Sequence, residues 1–87
     1  MTKIDFSKIK VTDIEGNEVP MDVRFLFGNM LYMQGVNVEE CELGREIFKQ
    51  STDNPLELST SQADIVRQYA GRLPYVTRQA ILKAFSQ

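Results

Sequence analysis

Four glutamates carry the densest set of reactive groups in this sequence. Glu39, Glu40, Glu42 and Glu46 lie within eight residues. In a helix the spacings of three and four bring Glu39, Glu42 and Glu46 to a shared face, as a metal site or an acid/base pair would need. The same residues fit a simpler role. An acidic first turn complements the positive end of a helix dipole, and Arg45 and Lys49 follow as neutralising partners. No flanking ligand marks the cluster for metal, and none is assigned.

The other reactive candidates reduce in the same way. Cys41 is the single cysteine, so neither an intrachain disulfide nor a thiolate-rich metal site can form. A thiol near a helix start can be activated, but Glu40 and Glu42 flank this one, and the chain contains no histidine to serve as its base. The absence of histidine also removes Ser-His pairs and imidazole metal ligands. Asp13-Ile14-Glu15-Gly16-Asn17-Glu18 superficially resembles a calcium loop, but the acidic spacing is short and the twelfth-position glutamate is missing. A tight turn accounts for Asp13, Gly16 and Asn17. No glycine-rich phosphate loop occurs; Gly28 and Gly44 are isolated helix glycines that imply close helix packing. The chain is therefore read as a non-enzyme without cofactor, catalytic residue or metal.

Charge is divided along the chain. All twelve acidic residues lie at or before Asp64. Beyond it stand Arg67, Arg72, Arg78 and Lys83 and no acid, so the tail carries +4 against −6 for the rest. Two basic helices joined by a short corner suggest a helix-turn-helix, with Thr77, Arg78 and Gln79 on a recognition helix. The corner departs from that motif. Arg67 stands four before Gly71 where a small residue belongs, Thr77 stands where an apolar one belongs, and the turn contains Pro74. The overall charge of −2 adds no general attraction for nucleic acid or an anionic membrane. The alternative to a phosphate contact is a match between this basic tail and an acidic partner, including the acidic second helix.

Eighty-seven residues make one domain, 1–87, burying about 60–65% of the unfolded surface. Hydrophobic and charged fractions of 43% and 25% are those of a globular protein. No run is long and apolar enough for a membrane span, and MTKIDFSKIK lacks a secretory core, so a soluble, cytoplasmic protein is expected.

The expected architecture is mainly α, in the α+β class: a two-stranded hairpin, then a small bundle of four short helices. Residues 1–7 read as a loose arm from which Ile4 and Phe6 could reach the core, and 8–21 as the hairpin. Lys8–Thr12 alternates, Gly16 suits a left-handed turn position, and Pro20 confines the returning strand to an edge. Within the helical part, 22–87, Asp22 is expected to cap a first helix over Val23–Gln34. Its apolar residues Val23, Leu26, Phe27, Met30, Leu31 and Met33 make it the expected most buried helix.

Asn37 with Glu40 forms a capping box, stapled by Val36 and Cys41, for a second helix ending near Gln50. Leu43, Ile47 and Phe48 face inward. Ser51–Glu57 is the expected mobile loop. In Leu58–Phe85, Ser59 and Gln62 form a second box, with Leu58 and Ala63 as its staple. Ala63, Val66, Tyr69 and Ala70 line the third helix, which Gly71 ends. Pro74 opens the fourth, lined by Val76, Ala80, Ile81, Ala84 and Phe85.

The segments KIKVTDIEGNEVPMDV, FLFGNMLYMQG, CELGREIFKQ and LSTSQADIVRQYAGRLPYVTRQAILKAF together resemble small proteins encoded in phages and prophages. In those, a hairpin with a D-x-x-G turn precedes a short helix, an L-x-x-x-I helix and a terminal helix pair. The resemblance implies a non-enzymatic protein of a mobile element, acting in particle assembly through protein contacts. The leading functional expectation is thus a protein–protein interaction or self-associating domain. Tyr32, Met33 and Tyr75 are its candidate interface residues, since aromatic residues and methionine are enriched at interfaces. The alternative is nucleic-acid binding through Arg67, Arg72, Arg78 and Lys83.

Overall fold

The alternating apolar residues of Ile9–Thr12 and the rigid Glu18-Val19-Pro20-Met21 form two antiparallel strands, β2 and β3, in the register Ile9↔Met21 and Val11↔Val19. Asp13 builds the turn between them. Its carboxylate accepts the amides of Glu15 and Asn17, and its carbonyl accepts the amide of Gly16. Gly16 has φ 89°, a conformation glycine reaches without steric cost. Pro20 lies on β3, whose outer edge is unpaired, as its missing N–H requires. The hairpin lays Ile9 and Val11 against the last helix.

The computed structural model describes residues 2–85. Besides β2 and β3 these comprise strands β1 (Thr2–Ile4) and β4 (Leu56–Leu58) and helices α1 (Arg24–Gln34), α2 (Val38–Lys49), α3 (Thr60–Ala70) and α4 (Tyr75–Ala84). No helix among them is long and apolar enough to cross a membrane. The fold is α+β, and one hydrophobic cluster draws on all four helices and both sheets.

The N-terminal segment is not a loose arm. β1 pairs antiparallel with β4, which forms the end of the expected mobile loop, in the register Thr2↔Leu58, Lys3↔Glu57 and Ile4↔Leu56. Ile4 and Phe6 are buried, and Phe6 stacks on Phe27 at 6.0 Å. The side chain of Gln50 fixes the crossing, accepting the Phe6 amide and donating to Asp5 at 2.7 Å. Burial would raise the Asp5 carboxyl, but donors from Ser7 and Gln50 prevail and hold it below the ordinary aspartate range. The rest of the loop is tethered by an ion pair between Lys8 and Asp53.

The four helices fall into two hairpins, of which only α1–α2 is closely packed along its length. α3 and α4 meet mainly at the Gly71–Pro74 corner, α4 lies chiefly on β2, and the contact between α2 and α3 is slight. The molecule is correspondingly long, 40 × 24 × 21 Å. The α1–α2 contact is made by backbone. A Cβ on Gly44 would stand 2.6 Å from the Gly28 carbonyl oxygen and 2.8 Å from the Tyr32 amide nitrogen. One on Gly28 would stand 2.8 Å from the Gly44 carbonyl oxygen.

The expected helix ends hold in part. Ser59 and Gln62 make a full capping box, with Leu58 and Ala63 both buried beside it. Asn37 caps α2 by accepting the Glu40 amide at 2.9 Å, but the Glu40 side chain reaches back to the Val36 amide instead of closing the box on Asn37. Val36, 84% exposed, does not form the expected staple. Asp22 accepts the Arg24 amide one turn position early, while Val23, buried, gives its own amide to the Phe6 carbonyl. Pro74 precedes α4 at the cap position.

Candidate protein-binding face

α1 is not the most buried helix. Within it only Phe27, Gly28 and Leu31 are buried, while Phe25, Leu26, Tyr32 and Met33 are exposed. The reason is geometric. With Gly28 seated on Gly44, the two helix axes come so close that large side chains cannot lie between them, and Phe25 and Tyr32 are displaced to the flank, while Leu26 and Met33 lie on the side of α1 away from α2. Phe48, expected inward on α2, shares this fate: it is 41% exposed and its ring packs 4.9 Å from that of Phe25.

Tyr32 and Phe48 line a shallow groove along the outside of the α1–α2 hairpin, made of two depressions that meet at Tyr32 and Arg45. The first is bounded by Asn29, Tyr32, Gly44, Arg45 and Phe48. The second, open to solvent, is lined by Tyr32, Val36, Val38, Cys41, Glu42 and Arg45, among others. Tyr32 and Arg45 stand at the junction, with the guanidinium 5.6 Å from the ring centroid. The Cys41 thiol donates to the Tyr32 carbonyl at 3.5 Å, which makes it part of the groove wall.

Of the expected interface residues, Tyr32 thus stands at the centre of the groove, whereas Met33, 77% exposed, lies on another side of α1 and lines no part of it. Tyr75 is exposed elsewhere, on α4 with Val76, over a shallow depression bordered by Lys10 and Thr12. Phe25, Phe48, Val36 and Val38 are not singled out by the sequence reading. A signal for them exists: Phe25 through Met33 is apolar on more than one helical face, and a glycine pair can be filled from only one.

The carboxylates separate. Glu39 accepts a hydrogen bond from Ser61, and Glu46 one from Gln62, both across the α2–α3 contact. Glu40 alone is buried. It accepts the Tyr69 hydroxyl at 2.6 Å and the Val36 amide at 2.9 Å, and these donors, aided by nearby Arg72, hold its carboxyl below the ordinary glutamate range against burial. The same bond, with burial and the Glu40 charge, pushes the Tyr69 phenol up. Tyr69 also stands 3.2 Å from the Gln34 carbonyl, so the pair ties α3 to the α1–α2 loop. Among the described residues no three acidic or thiol side chains gather to hold a metal ion.

The basic residues of the last two helices are engaged at home. Arg67 lies over Phe85 at 4.4 Å and pairs with Asp64. Arg72 lies over Tyr69 at 4.6 Å and donates to Gln34 at 2.6 Å. Arg78 lies over Tyr75 at 5.4 Å, and Lys83 stands 3.8 Å from Glu18 on the hairpin. The expected match with the acidic second helix is realised only by Arg72 beside Glu40. Thr77 is buried, and Val76, expected in the core, is exposed instead.

The most enclosed cleft, between β1, β2 and α4, measures about 140 Å³. That is below the roughly 300–1,000 Å³ of small-molecule sites. The chain matches no family model, no curated protein and no solved structure.

Proposed function

We propose that this protein is a non-enzymatic interaction or assembly module that binds another protein surface through the outer groove of α1–α2. The carrying observation is the continuous row of exposed apolar residues, Phe25, Phe48, Tyr32, Val36 and Val38, on a rigid two-helix platform. A run of aromatic and aliphatic groups on one face is unusual for a surface meant only for water. The resemblance to phage and prophage proteins supports the same reading, with assembly of a particle as the process and the cytoplasm as the place. The nucleic-acid reading has less support, because Arg67, Arg72 and Arg78 are stacked on aromatic rings and Lys83 faces Glu18.

A photo-crosslinking side chain tests the proposal. Placed at Val36 or Phe48 it should capture a protein in the source cell, whereas at Gln68 on the opposite hairpin it should capture none. Equal capture, or none, from the two faces would remove the groove as the interaction site.

A further inference from the structure

We infer that the occupant of the groove is a second copy of this chain, docked about a two-fold axis with the two α2 helices antiparallel. This rests on the groove being an interaction surface, and adds what fills it. The argument is self-complementarity, which a two-fold contact demands of a single surface. One end of the groove carries a ridge, Phe48 against Phe25. The other end is a shallow depression lined by Tyr32, Val36, Val38 and Cys41. One acid and one base, Glu42 and Arg45, stand in its wall, both exposed on the outer stripe of α2.

Helical geometry then fixes the register. In antiparallel helices the contacts mirror each other about the axis, with a rise of about 1.5 Å per residue. An axis at the level of Leu43 and Gly44 sets Glu42 opposite Arg45 of the second copy, and Arg45 opposite its Glu42. The same axis brings Phe48 of each copy beside Val38 and Cys41 of the other, so each ridge rests on the facing depression. Glu42 and Arg45 have no salt-bridge partner within the described residues, so both are available for this exchange. Antiparallel alignment also sets the acidic first turn of each α2 against the Lys49 end of the other, in agreement with both helix dipoles. A parallel pairing of the two α2 helices would instead set like charge against like.

The test uses the intact chain. Sedimentation velocity should show a dimer for the wild type at tens of micromolar. Glu42→Arg makes the central pair all positive and Arg45→Glu makes it all negative. Each variant alone should associate at least tenfold more weakly, with unchanged circular dichroism. Mixed in equal amounts they should restore the dimer, because the two positive side chains of one variant then face the two negative side chains of the other. Salt bridging within one helix predicts no such rescue. A monomeric wild type, variants that dimerise unaltered, or a mixture that stays monomeric would each overturn the inference. If the crosslinker at Phe48 then captures a different protein, the groove remains an interaction surface; if it captures nothing, both readings fall.

Discussion

The two helical hairpins of this molecule solve the same packing problem in opposite ways. In α3–α4 most apolar residues go inside: Ile65, Val66, Tyr69, Ala70, Ala80 and Ile81 are buried, Tyr75 and Val76 are exposed, and the arginines outside lie over aromatic rings. In α1–α2 the closest contact is glycine on glycine, and Phe25, Leu26, Tyr32, Met33 and Phe48 are left outside. Both hairpins contribute to the same core, through Leu31, Leu43 and Ile47 on one side and Val66, Tyr69 and Ile81 on the other. The difference therefore lies in what each exposes. α3–α4 exposes two large apolar side chains, Tyr75 and Val76, while α1, α2 and the loop between them expose seven, Phe25, Leu26, Tyr32, Met33, Val36, Val38 and Phe48.

The sharpest way to break that contrast is Gly44→Ala. Alanine favours a helix over glycine by about 1 kcal/mol. Against this, its methyl group would stand 2.6 Å from the Gly28 carbonyl oxygen, and both neighbours are backbone that can move only by separating the helices. Overpacking of this kind costs about 1–3 kcal/mol, occasionally more. The expected net result is a loss of stability, read as a melting temperature lower by several degrees in a domain of this size. An unchanged or raised midpoint would show that the helices have room, and the account of why Phe48 and Tyr32 are outside would fail.

Next in size is the tie between the two hairpins. Tyr69→Phe removes the hydroxyl that donates to Glu40 and stands beside the Gln34 carbonyl, and because Glu40 keeps the Val36 amide the loss of stability should be smaller than that of Gly44→Ala. It also predicts a change in pH dependence. The native Glu40 carboxyl is held below its ordinary range, so the unfolded chain binds more protons there, and stability falls as pH drops through the native value. The native Tyr69 phenol is raised, so its contribution is complete below the ordinary tyrosine range of about 10 and is lost as pH rises through the higher native value. Urea midpoints across pH should show both slopes shrink in Tyr69→Phe. Unaltered slopes would mean that the pair does not join the hairpins electrostatically.

Much of this could be read from the chain because the signals are local. The D-x-x-G turn, the Ser59–Gln62 box and the Asn37 cap each need only three or four adjacent residues, and each forms. The β1–β4 pairing could not be read, since Thr2-Lys3-Ile4 and Leu56-Glu57-Leu58 are too short to show a period and lie more than fifty residues apart. Glu40 was legible as a capping residue but not as the partner of Tyr69, twenty-nine positions away. The proposed face was half legible. Tyr32 stands out by residue type, whereas Phe48 looks inward by period, and the glycine contact explains why it turns out.

The smallest expected effect concerns the exposed apolar residues of α1 that lie outside the groove. Leu26→Ser and Met33→Ser alter side chains that are exposed on the outer side of α1, so each should shift the stability of the isolated chain by no more than about 0.5 kcal/mol. The measurement belongs at low protein concentration, because self-association would add a stabilisation that grows with concentration and would mask the intrinsic value. A loss above about 1 kcal/mol in dilute solution, beyond what an ordinary surface change costs, would mean that α1 uses these residues to fold, and the two hairpins would differ less than their surfaces suggest. A negligible loss leaves a group of large apolar side chains on a rigid helix with no part in stability. That is the pattern expected of residues kept for contact with another surface.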